Sequence, residues 1–364
     1  MTETDASAAS GFPRMDMSTQ HKPLITTILP TFRRPKLLRR AILSVLEQDF
    51  PAFQLCVYDN ASGDETAEIV AELGRNDSRL RYHCHARNIG GMANFQHGLS
   101  RVDTPYFSFL SDDDYLLPGF YRASAASLAE SPEAIFWAGL TLRLTGEGDF
   151  FDARLDKWER DGLFFPPDGV MRLLRGDAPC WVGTLFRSTA IEEIGLLDEQ
   201  VGGAIDLDYM LRLAARHPYI VSKMPAAIYT MNKEAASETS PLSAFWPGWL
   251  KMIDNIEAIE SLPADTRHGI VLVLHADARR MLFRRGASAL AKGSYEFARQ
   301  SALALQKQYH ALAKSLLLRS IAMICEHVPL TQRIYTACYR ALERRLINQR
   351  GALKKKYAGL SRPY

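Results

Sequence analysis

Three consecutive carboxylates are the residues best suited to hold a metal ion. Asp112, Asp113 and Asp114 follow Ser111 at the end of an apolar and aromatic run at residues 106–110. Carboxylate oxygens bind hard divalent cations, and such a cation can stabilise the negative charge that develops on a departing diphosphate. The alternative is a solvated acidic turn, although three acids directly after an aromatic strand would be an unusual turn. By itself the run would be only an acidic turn, so its interpretation as a divalent-cation site depends on the motifs that accompany it.

Other polar residues lie where predicted strands end. Short apolar or β-branched runs typical of buried strands occur at residues 24–29, 53–58, 80–83 and 106–110. Helical patterns separate these runs, at residues 35–48, 64–73 and 91–100. This alternation predicts a parallel sheet with helices on both faces, in which ligands bind beyond the carboxyl ends of the strands. One shared cleft is therefore expected at Pro30-Thr31, Asp59-Asn60, residues 85–91 and the aspartate run.

The second half of the chain gives a weaker pattern. Strands are predicted at residues 134–137, 140–142 and 178–187, and helices at residues 189–193 and 206–216. Residues 241–249 are aromatic and interrupted by proline, which favours a linker. From residue 250 onward the pattern is mainly helical, so we expect a helical region after the α/β part of the chain.

Composition and charge exclude several classes of protein. The chain has 364 residues, 47% of them hydrophobic and 23% charged, as in ordinary globular proteins. The formal net charge of +3 argues against a general nucleic-acid binder. The five cysteines are scattered without a CxxC spacing, which is typical of a reducing compartment. Without a signal-peptide pattern or a run of roughly 20 apolar residues, we expect a cytoplasmic protein, free or on the cytoplasmic face of the inner membrane.

Five segments of the chain, taken together and in order, resemble a known family. Their sequences are ILPTFRRP, VYDNASGDET, RNIGG, FLSDDD and IDLDYMLRL. In these segments the chain resembles the bacterial inverting glycosyltransferases with the A-type fold, commonly called family 2, over residues 23–235. The resemblance implies an α/β fold with a Rossmann-like, mostly parallel sheet and helices on both faces. In this chain a C-terminal α-helical region would follow that fold.

The resemblance also implies a binding site for a nucleoside-diphosphate sugar donor. Ser111 stands at the first position of the family's Asp-x-Asp motif, and Asp113 matches the second. This implies that Asp113 binds Mn²⁺ or Mg²⁺ and that Asp112 faces the ribose or the metal. Asp59 is implied to recognise the nucleobase, although a strand-end turn or helix cap would also suit an aspartate. The residues expected to bind the nucleotide sugar are Pro30, Thr31, Phe32, Arg34, Asp59, Arg87, Asn88, Asp112 and Asp113.

Some members of this set have simpler alternatives. Phe32 can stack on the nucleobase, as the family's usual tyrosine does, or it can pack in the core. Arg87 and Asn88 precede Gly90 and Gly91 at the start of a predicted helix, where a flexible backbone and the helix N-terminus favour phosphate. The same residues would also form a plain glycine-rich turn.

An inverting transfer needs a base that takes the proton from the acceptor hydroxyl. The resemblance implies that Asp206 is that base, as the aspartate of the family's Glu-Asp pair, whose glutamate is replaced by Ile205. An N-cap role is the alternative, and Asp208 is a nearby substitute whose spacing matches a less central family position. Trp181 is expected to line the acceptor site or to pack in the core beside Gly183.

Two histidines also suggest a metal site. His83 and His85 alternate along a predicted strand and therefore share one of its faces. Without further ligands nearby the site would be incomplete, so we interpret them as ordinary strand residues.

The last part of the chain is basic and amphipathic. One stripe of residues 332–349 is apolar, whereas the other faces carry Arg333, Arg340, Arg344 and Arg345. Such a helix suits an anionic membrane surface and would fit an enzyme whose acceptor is lipid-linked. A helical bundle packed on the catalytic domain, or a homo-oligomer interface, is the alternative.

These expectations divide the chain into three parts. Residues 1–22 are expected to be a disordered tail and residues 23–240 a catalytic domain. Residues 241–364 are expected to be a helical region that associates with a membrane or forms an oligomer. Within the catalytic domain, residues 23–115 would bind the nucleotide and residues 116–240 the acceptor.

The predicted function is metal-dependent, inverting glycosyl transfer in bacterial surface polysaccharide biosynthesis. The acceptor would be a glycan, with a polyprenyl-diphosphate-linked glycan as one form of it. A non-catalytic nucleotide-sugar-binding or scaffolding protein is one alternative, because Ser111 and Ile205 replace usual acids. A sugar-1-phosphate nucleotidyltransferase is another, but it would need a glycine-rich loop after the first strand, where Pro30-Thr31-Phe32 stands instead.

Overall fold

The computed structural model describes residues 22–145, 148–175, 178–231, 241–348 and 350–360. Apart from Lys22, the tail expected at residues 1–22 lies outside the described residues. The described residues form one mixed sheet of ten strands. In chain order the strands are β1 (Ile25–Thr31), β2 (Phe53–Asp59), β3 (Leu80–Cys84), β4 (Tyr106–Phe109), β5 (Tyr115–Leu116), β6 (Phe136–Thr145), β7 (Phe150–Arg154), β8 (Gly162–Phe164), β9 (Thr184–Arg187) and β10 (Tyr219–Met231).

The first half of the sheet is parallel, as predicted. β1 pairs with β2 on one side and with β4 on the other, and β3 follows β2. Every residue of β1 and β2 is buried, which is typical of parallel strands covered on both faces. The register sets Thr31 opposite Asp59, so the polar ends of these two strands meet at one edge.

Alternate residues of the central strands enter two different cores. In β2, Leu55 and Val57 belong to one hydrophobic cluster, whereas Cys56 and Tyr58 belong to another. Because successive side chains of a strand point to opposite faces, the two clusters lie on the two sides of the sheet. The prediction of a sheet covered on both faces is therefore confirmed.

The second half of the sheet is mostly antiparallel. β9 pairs antiparallel with β4 and β6, while β10 runs parallel to β6. The strand predicted at residues 178–187 is wrong in its first part, because a 3-10 helix at Trp181–Gly183 precedes β9. The sequence pattern did not predict β10, in which Lys223 and Pro225 interrupt the apolar run and the register against β6 shifts. The strands are joined in the order β3-β2-β1-β4-β9-β6-β10-β5, with β7 beside β6 and β8 beside β10.

Helices connect the strands and make up the C-terminal region. They are α1 (Pro35–Leu46), α2 (Thr66–Gly74), α3 (Gly91–Leu99), α4 (Phe120–Glu130), α5 (Asp168–Arg175), α6 (Thr189–Ile194), α7 (Ile205–Ala214), α8 (Leu242–Glu257), α9 (Ala264–Ala291), α10 (Tyr295–Tyr309), α11 (Leu312–His327), α12 (Pro329–Asn348) and α13 (Gly351–Tyr357). The helical pattern predicted from residue 250 onward is thus found in the structure.

The linker predicted at residues 241–249 is wrong, because α8 begins at Leu242 and includes Pro247. Met252 and Ile253 of α8 belong to the same buried cluster as Tyr209 of α7. Helix α8, the first of the C-terminal region, is therefore part of the core of the α/β part.

The end of the chain returns to the sheet. Tyr357 in α13 is buried and its ring stacks on Phe150 of β7, with ring centroids 6.3 Å apart. The Tyr357 hydroxyl donates to Asp156 over 2.6 Å, and the Arg350 guanidinium donates to the carbonyl of Phe151 over 2.6 Å. These contacts fasten α13 to the β6–β7 hairpin.

Across the described ranges, none of the helices combines the length and the apolar character needed to cross a membrane.

Candidate functional site

A cleft of about 570 Å³ opens at the carboxyl ends of β1, β2 and β4. Its lining residues come from the β1–α1 loop, the ends of β2 and β4, the start of α3, and β10. They are Pro30, Thr31, Phe32, Arg34, Asn60, Asn88, Gly90, Gly91, Asn94, Phe95, Ser111, Asp112, Asp113, Asp114, Tyr229 and Thr230. Of the residues predicted to bind a nucleotide sugar, Asp59 and Arg87 are the two that do not line this cleft.

Two residues of the β1–α1 loop hold the first two aspartates. The Thr31 hydroxyl donates to Asp112 Oδ2 over 2.8 Å. One nitrogen of the Arg34 guanidinium donates to Asp112 Oδ1 over 3.1 Å and to Asp113 Oδ2 over 3.0 Å. Arg34 thus orients both carboxylates, and the Arg40 guanidinium donates to the main-chain carbonyl of Asp113.

The third aspartate is tied to the opposite wall. Asp114 Oδ1 accepts a hydrogen bond of 2.7 Å from the main-chain nitrogen of Thr230 in β10. Asp114 is buried, and its Oδ2 has no hydrogen-bond partner among the described residues. A buried carboxylate oxygen without a partner is costly unless a cation or water satisfies it.

Burial raises the pKa of all three carboxyl groups. Burial and the charge of Asp113 raise the pKa of Asp112 to about 6, although Arg34 and Thr31 oppose this. Burial raises the pKa of Asp113 against the effect of Arg34, and burial together with Asp113 raises that of Asp114 well above its ordinary value. The donor atoms are all oxygens, as Mg²⁺ and Mn²⁺ prefer, and one of them lacks a partner. The residues present therefore fit a divalent cation.

A second network joins the loops that follow β2 and β3. Asn60 Nδ2 donates to Asn88 Oδ1 over 2.9 Å, and Asn60 Oδ1 accepts from the main-chain nitrogen of Ile89 over 2.8 Å. Asn88 Oδ1 also accepts from the nitrogen of Gly90 over 2.8 Å. Gly90 has a φ of 91°, which a residue with a side chain rarely adopts. These bonds fix the glycine-rich turn where α3 begins at the cleft.

Asp59 lies next to this network but is engaged elsewhere. Its Oδ2 accepts from the Tyr82 hydroxyl over 2.6 Å, and its Oδ1 accepts from the nitrogen of Ser62 over 2.9 Å. It is 2% exposed. These contacts match the strand-end turn that was the alternative interpretation of Asp59, and the polar side chain that this strand end presents to the cleft is Asn60.

Phe32 and Arg87 differ in their position. Phe32 is 37% exposed and lines the cleft, so it does not pack in the core, and the Arg33 guanidinium lies 5.0 Å from its ring centroid. Arg87 is exposed outside the cleft lining. The structure thus gives Phe32 the position that a base-stacking residue needs and leaves Arg87 outside the cleft.

Asp206 lies in the first turn of α7 and is half-buried. Ala204 occupies the N-cap position, so the N-cap role proposed as an alternative for Asp206 is wrong. Burial raises the pKa of Asp206, partly offset by a 2.8 Å hydrogen bond from the nitrogen of Leu207 and by the charge of Arg154. A carboxylate with a raised pKa is better matched to proton abstraction near neutral pH.

Asp206 does not itself line the cleft, whereas Tyr229 does. Burial raises the pKa of Tyr229, and Asp114, Cys180, Asp206 and Asp113 raise it further. Asp206 and the aspartate run therefore act electrostatically on the same side chain, which itself lines the cleft.

Asp208, the substitute for Asp206, is committed to structure. Its side chain is fully buried, its Oδ2 accepts from Arg212 Nε over 2.8 Å, and its Oδ1 accepts from Asn255 Nδ2 over 3.0 Å. Because both oxygens are occupied and neither reaches solvent, Asp208 is not available to an acceptor.

Trp181 makes the contacts of a packing residue. Its ring stacks on Phe109, with centroids 4.6 Å apart and planes at 30°, and lies 4.9 Å from Phe95. It is half-buried and does not line the cleft, whereas Phe95 does. The aromatic side chain between Trp181 and the cleft is therefore Phe95.

Several lining residues were not predicted. Asn94 and Phe95 follow Gly91 of the expected cleft by three and four residues in α3, and this helical spacing is a signal that could have identified them. Tyr229 and Thr230 come from β10, whose sequence pattern gave no strand, so no local signal could have identified them.

Comparison with known proteins gives a match of one segment to a family, and a fold. Residues 26–195 match the family described as Glycosyl transferase family 2. The fold is similar to that of residues 1–349 of S. aureus TarS, solved in complex with UDP-GlcNAc. The TM-score is 0.59 at 17% sequence identity, and the similarity covers 83% of this chain and 91% of the TarS chain. The A-type fold with an added helical region is therefore confirmed.

Relatives in sequence carry names of bacterial glycosyltransferases. The chain is 37% identical over 98 residues to the GalNAc(5)-diNAcBac-PP-undecaprenol beta-1,3-glucosyltransferase of Campylobacter jejuni, covering 27% of this chain and 32% of that protein. It is 28% identical over 96 residues to the putative teichuronic acid biosynthesis glycosyltransferase TuaG of Bacillus subtilis, covering 26% and 38%. An uncharacterised glycosyltransferase of Rickettsia typhi is 25% identical over 66% of this chain and 75% of its own length. The chain thus spans about a third of the lengths of the first two.

Proposed function

We propose that this chain, whose residues 26–195 match glycosyl transferase family 2, is an inverting glycosyltransferase. It would move a sugar from a nucleoside-diphosphate sugar to an acceptor hydroxyl in the synthesis of a bacterial surface polysaccharide. The observation that carries the proposal is the composition of one cleft. The carboxylates that Thr31 and Arg34 hold lie on the β4 side of the cleft. The Asn60–Asn88 network lies on its β2 side.

In the proposed complex the nucleoside lies along the first part of the cleft. Phe32 stacks on the base, and the amide of Asn60 faces its polar edge. Asp112 accepts from the ribose, while Asp59 holds the surrounding loop through Ser62. The start of α3 faces the diphosphate, because main-chain N–H groups at a helix N-terminus attract anions. Arg87 and Asn88, in the loop before this helix, are proposed to support the same group.

Asp113, with Asp112 and Asp114 beside it, would hold the Mn²⁺ or Mg²⁺ ion. When bound, this ion supplies positive charge that stabilises the departing diphosphate. Arg34 keeps the carboxylates of Asp112 and Asp113 in place through one hydrogen bond to each. Thr31 and Thr230 restrain Asp112 and Asp114 from opposite walls, so that the carboxylates are positioned before a donor arrives.

Asp206 is the proposed general base. The acceptor oxygen attacks the anomeric carbon as its proton passes to the Asp206 carboxylate, and the bond between that carbon and the diphosphate oxygen breaks. A single displacement of this kind inverts the anomeric centre. The position of Asp206 in the first turn of α7 and its raised pKa support this role. Trp181, behind Phe95, is proposed to support the acceptor side.

The acceptor is proposed to be a glycan on a polyprenyl-diphosphate carrier. The name of the Campylobacter relative describes an acceptor on undecaprenyl diphosphate, and the Bacillus relative is named for teichuronic acid biosynthesis. Such an acceptor lies at a membrane surface, so we propose that the helical region contacts that surface.

The outer faces of α11 and α12 carry the features that membrane contact requires. Leu316 and Met323 of α11 are each 60% exposed, and Leu330 and Ile334 of α12 are 66% and 55% exposed. Helix α12 also carries exposed cations at Arg333, Arg340, Arg344 and Arg345. Exposed apolar side chains beside cations fit an anionic lipid surface.

Two lysines of α13 form ion pairs and are therefore not assigned to this surface. Lys354 lies 3.6 Å from Asp149, and Lys356 lies 2.6 Å from Asp156, so both pair with the catalytic part of the chain. The lipid-facing charge is therefore assigned to the arginines of α12.

A donor screen tests the proposed function. Nucleoside-diphosphate sugars are incubated with the full chain, Mn²⁺ and a polyprenyl-diphosphate-linked acceptor, and release of nucleoside diphosphate is followed together with the anomeric configuration of the product. We expect release that depends on both metal and acceptor, with inverted configuration. Tight donor binding without release from any donor would instead support the non-catalytic binding protein, for which Ser111 and Ile205 are the motivation.

A further inference from the structure

A cluster of three histidines lies outside the proposed reaction. His83 and His85 alternate on and just after β3, and α3 brings His97 against them. One ligating nitrogen from each ring lies within 4.8 Å of those of the other two. The ring centroids are 4.6–4.9 Å apart. The ligand that the sequence lacked near His83 and His85 is thus supplied by the fold.

Close packing of α3 explains why His97 reaches the sheet. A Cβ atom at Gly98 would lie 2.4 Å from the side chain of Ile28 and 2.9 Å from that of Tyr58, so the helix approaches β1 and β2 as only glycine allows. The preceding residue, His97, is then carried beside Tyr58, with ring centroids 5.4 Å apart. Gly98 therefore fixes the distance between His97 and the end of β3.

Hydrogen bonds show which ring nitrogens can bind a ligand. Asn94 Nδ2 donates to the carbonyl of Tyr58, so Asn94 Oδ1 is the acceptor for His85 Nε2, 2.8 Å away. This bond gives His85 a proton on Nε2 and leaves the lone pair on Nδ1. Metal-binding histidines are commonly oriented in this way by a carbonyl acceptor. In His97, Nε2 accepts from Arg101 Nε over 2.9 Å and therefore carries a lone pair.

The surroundings of His83 and His97 disfavour the charged form of their rings. Burial, followed by the charges of Arg101, His85 and His83, lowers the pKa of His97 to about 4. Burial, His85 and Arg101 lower the pKa of His83 as well. Neutral imidazole is the form that binds metal ions, so the environment favours the binding form.

We propose that His83, His85 and His97 bind one transition-metal ion of the zinc class, separately from the cation at the aspartate run. Imidazole ligands suit Zn²⁺ and similar ions, whereas carboxylates suit Mg²⁺ and Mn²⁺, so the two sites select different metals. Three imidazoles leave a fourth position for water.

Binding requires two small movements. Zinc–nitrogen bonds are about 2.0–2.1 Å long, so the three nitrogens must move closer together than they now lie. The Arg101 guanidinium must also leave His97, and the exposed position of Arg101 allows this. Because Asn94 lines the donor cleft as well as orienting His85, an occupied site would restrain the wall of that cleft.

Zinc titration of the full chain without an affinity tag tests this site. The protein is freed of metal with a chelator and titrated with Zn²⁺ by calorimetry in excess Mg²⁺, which occupies the carboxylate site. Co²⁺ is added in a parallel experiment, and its visible absorption reports nitrogen coordination. We expect one Zn²⁺ per chain and a Co²⁺ spectrum of low coordination number. Absence of Zn²⁺ binding in excess Mg²⁺ would overturn the proposal.

Two variants give opposite expected shifts. His97→Gln should lower the affinity for Zn²⁺ by about tenfold or more. Arg101→Gln should raise it, because this variant frees Nε2 and removes a positive charge at an exposed position where folding is not at risk. Asp113→Asn should leave the Zn²⁺ affinity unchanged. Equal affinity in wild type, His97→Gln and Arg101→Gln would assign the binding to other groups, and thermal unfolding of each variant verifies that it is folded.

Discussion

The side-chain amide of Asn255 donates a 3.0 Å hydrogen bond to Oδ1 of Asp208. Asn255 belongs to α8, the first C-terminal helix, and Asp208 belongs to α7, which begins beside the proposed base Asp206. The same amide also donates to Asp198 over 3.0 Å. The helical region therefore takes part in positioning α7, and with it Asp206.

Replacing Asn255 by leucine should destabilise the protein. The fully buried Asp208 would lose one of its two partners, and an unsatisfied buried carboxylate oxygen costs about 1–3 kcal/mol. Urea unfolding measures the change. Asp254→Ala, one residue away and exposed, is the matched control and should change stability by less than about 0.5 kcal/mol. Equal stability of the two variants would show that the Asn255–Asp208 bond does not hold the two parts together.

Asp206→Asn should reduce the transfer rate by about 10²–10⁴-fold, as expected for loss of a general base. Donor affinity should remain, because Asp206 does not line the donor cleft. Steady-state kinetics with separate donor binding measurements distinguish the two effects. Near-normal turnover of Asp206→Asn would assign the base to another group.

The pH dependence of transfer provides a further check on Asp206. Because burial raises its pKa above the ordinary value for aspartate, the carboxylate becomes protonated at a higher pH than an exposed aspartate would. A base must be ionised to accept a proton, so the rate should fall as the pH falls through this raised value. The part of the acidic limb that Asp206 causes should be absent from the residual activity of Asp206→Asn. A rate that is constant down to the ordinary pKa of aspartate, about 4, would contradict this assignment.

Asp113→Asn should weaken metal-dependent binding of the nucleoside diphosphate and lower turnover by about 100-fold or more, the scale seen when a group that stabilises transition-state charge is removed. The loss should persist at saturating donor. Asp49→Asn is the control, because Asp49 is an exposed acid paired with Arg122 far from the aspartate run in sequence. Titration with Mn²⁺ in the presence of nucleoside diphosphate provides the measurement, and equal metal dependence of the two variants would remove Asp113 from the metal site.

Asp114→Asn should stabilise the metal-free protein at neutral pH by about 1 kcal/mol. Burial raises the pKa of Asp114 in the folded state, so its ionised form opposes folding at any pH above the pKa of the unfolded chain. An asparagine keeps the acceptor for Thr230 but carries no charge. The gain should disappear below pH about 4, where the carboxyl group is protonated in both states. Urea unfolding at the two pH values, with a chelator present, measures the change. A loss of stability at neutral pH would contradict the prediction.

Leu330→Ser combined with Ile334→Ser should reduce flotation of the full chain with anionic liposomes. Both side chains are more than half exposed, so the fold should be unaffected. Leu272→Ser, at a residue of similar exposure on α9, is the matched control and should float as the wild type does. Unchanged flotation of the double variant, together with a change in oligomeric state by light scattering, would assign the face to a homo-oligomer interface instead.

The elements that could be predicted from the sequence are those whose signal is local. β1, β2 and β4 are continuous apolar runs because both faces are buried, and the aspartate run follows β4 directly. The helix at residues 242–257 also had a local signal, since Leu242, Phe245, Trp246 and Trp249 follow helical spacing. Its prolines suggested a linker, but Pro241 only precedes the helix and the buried aromatic face compensates for Pro247.

The remainder depends on contacts between distant residues. Asn60 rather than Asp59 lines the cleft because a shift of one residue at a strand end reverses the direction of a side chain. Tyr229 reaches the site from a strand interrupted at Lys223 and Pro225, and Asn255 meets Asp208 across two elements. No local pattern encodes such meetings, so only the three-dimensional structure could reveal them.

The anchoring of α13 has a mechanical consequence for α12. After the end of α12, Arg350 and Tyr357 attach the chain to the β6–β7 hairpin. In the first part of α12, Tyr335 and Thr336 donate hydrogen bonds to main-chain carbonyls of α9, so both ends of α12 are held in place. A bilayer resting on α12 would consequently meet the cleft at a set height and tilt. The enzyme would then select acceptors by length, because it would add sugar only to glycans whose growing end lies at one distance from the lipid.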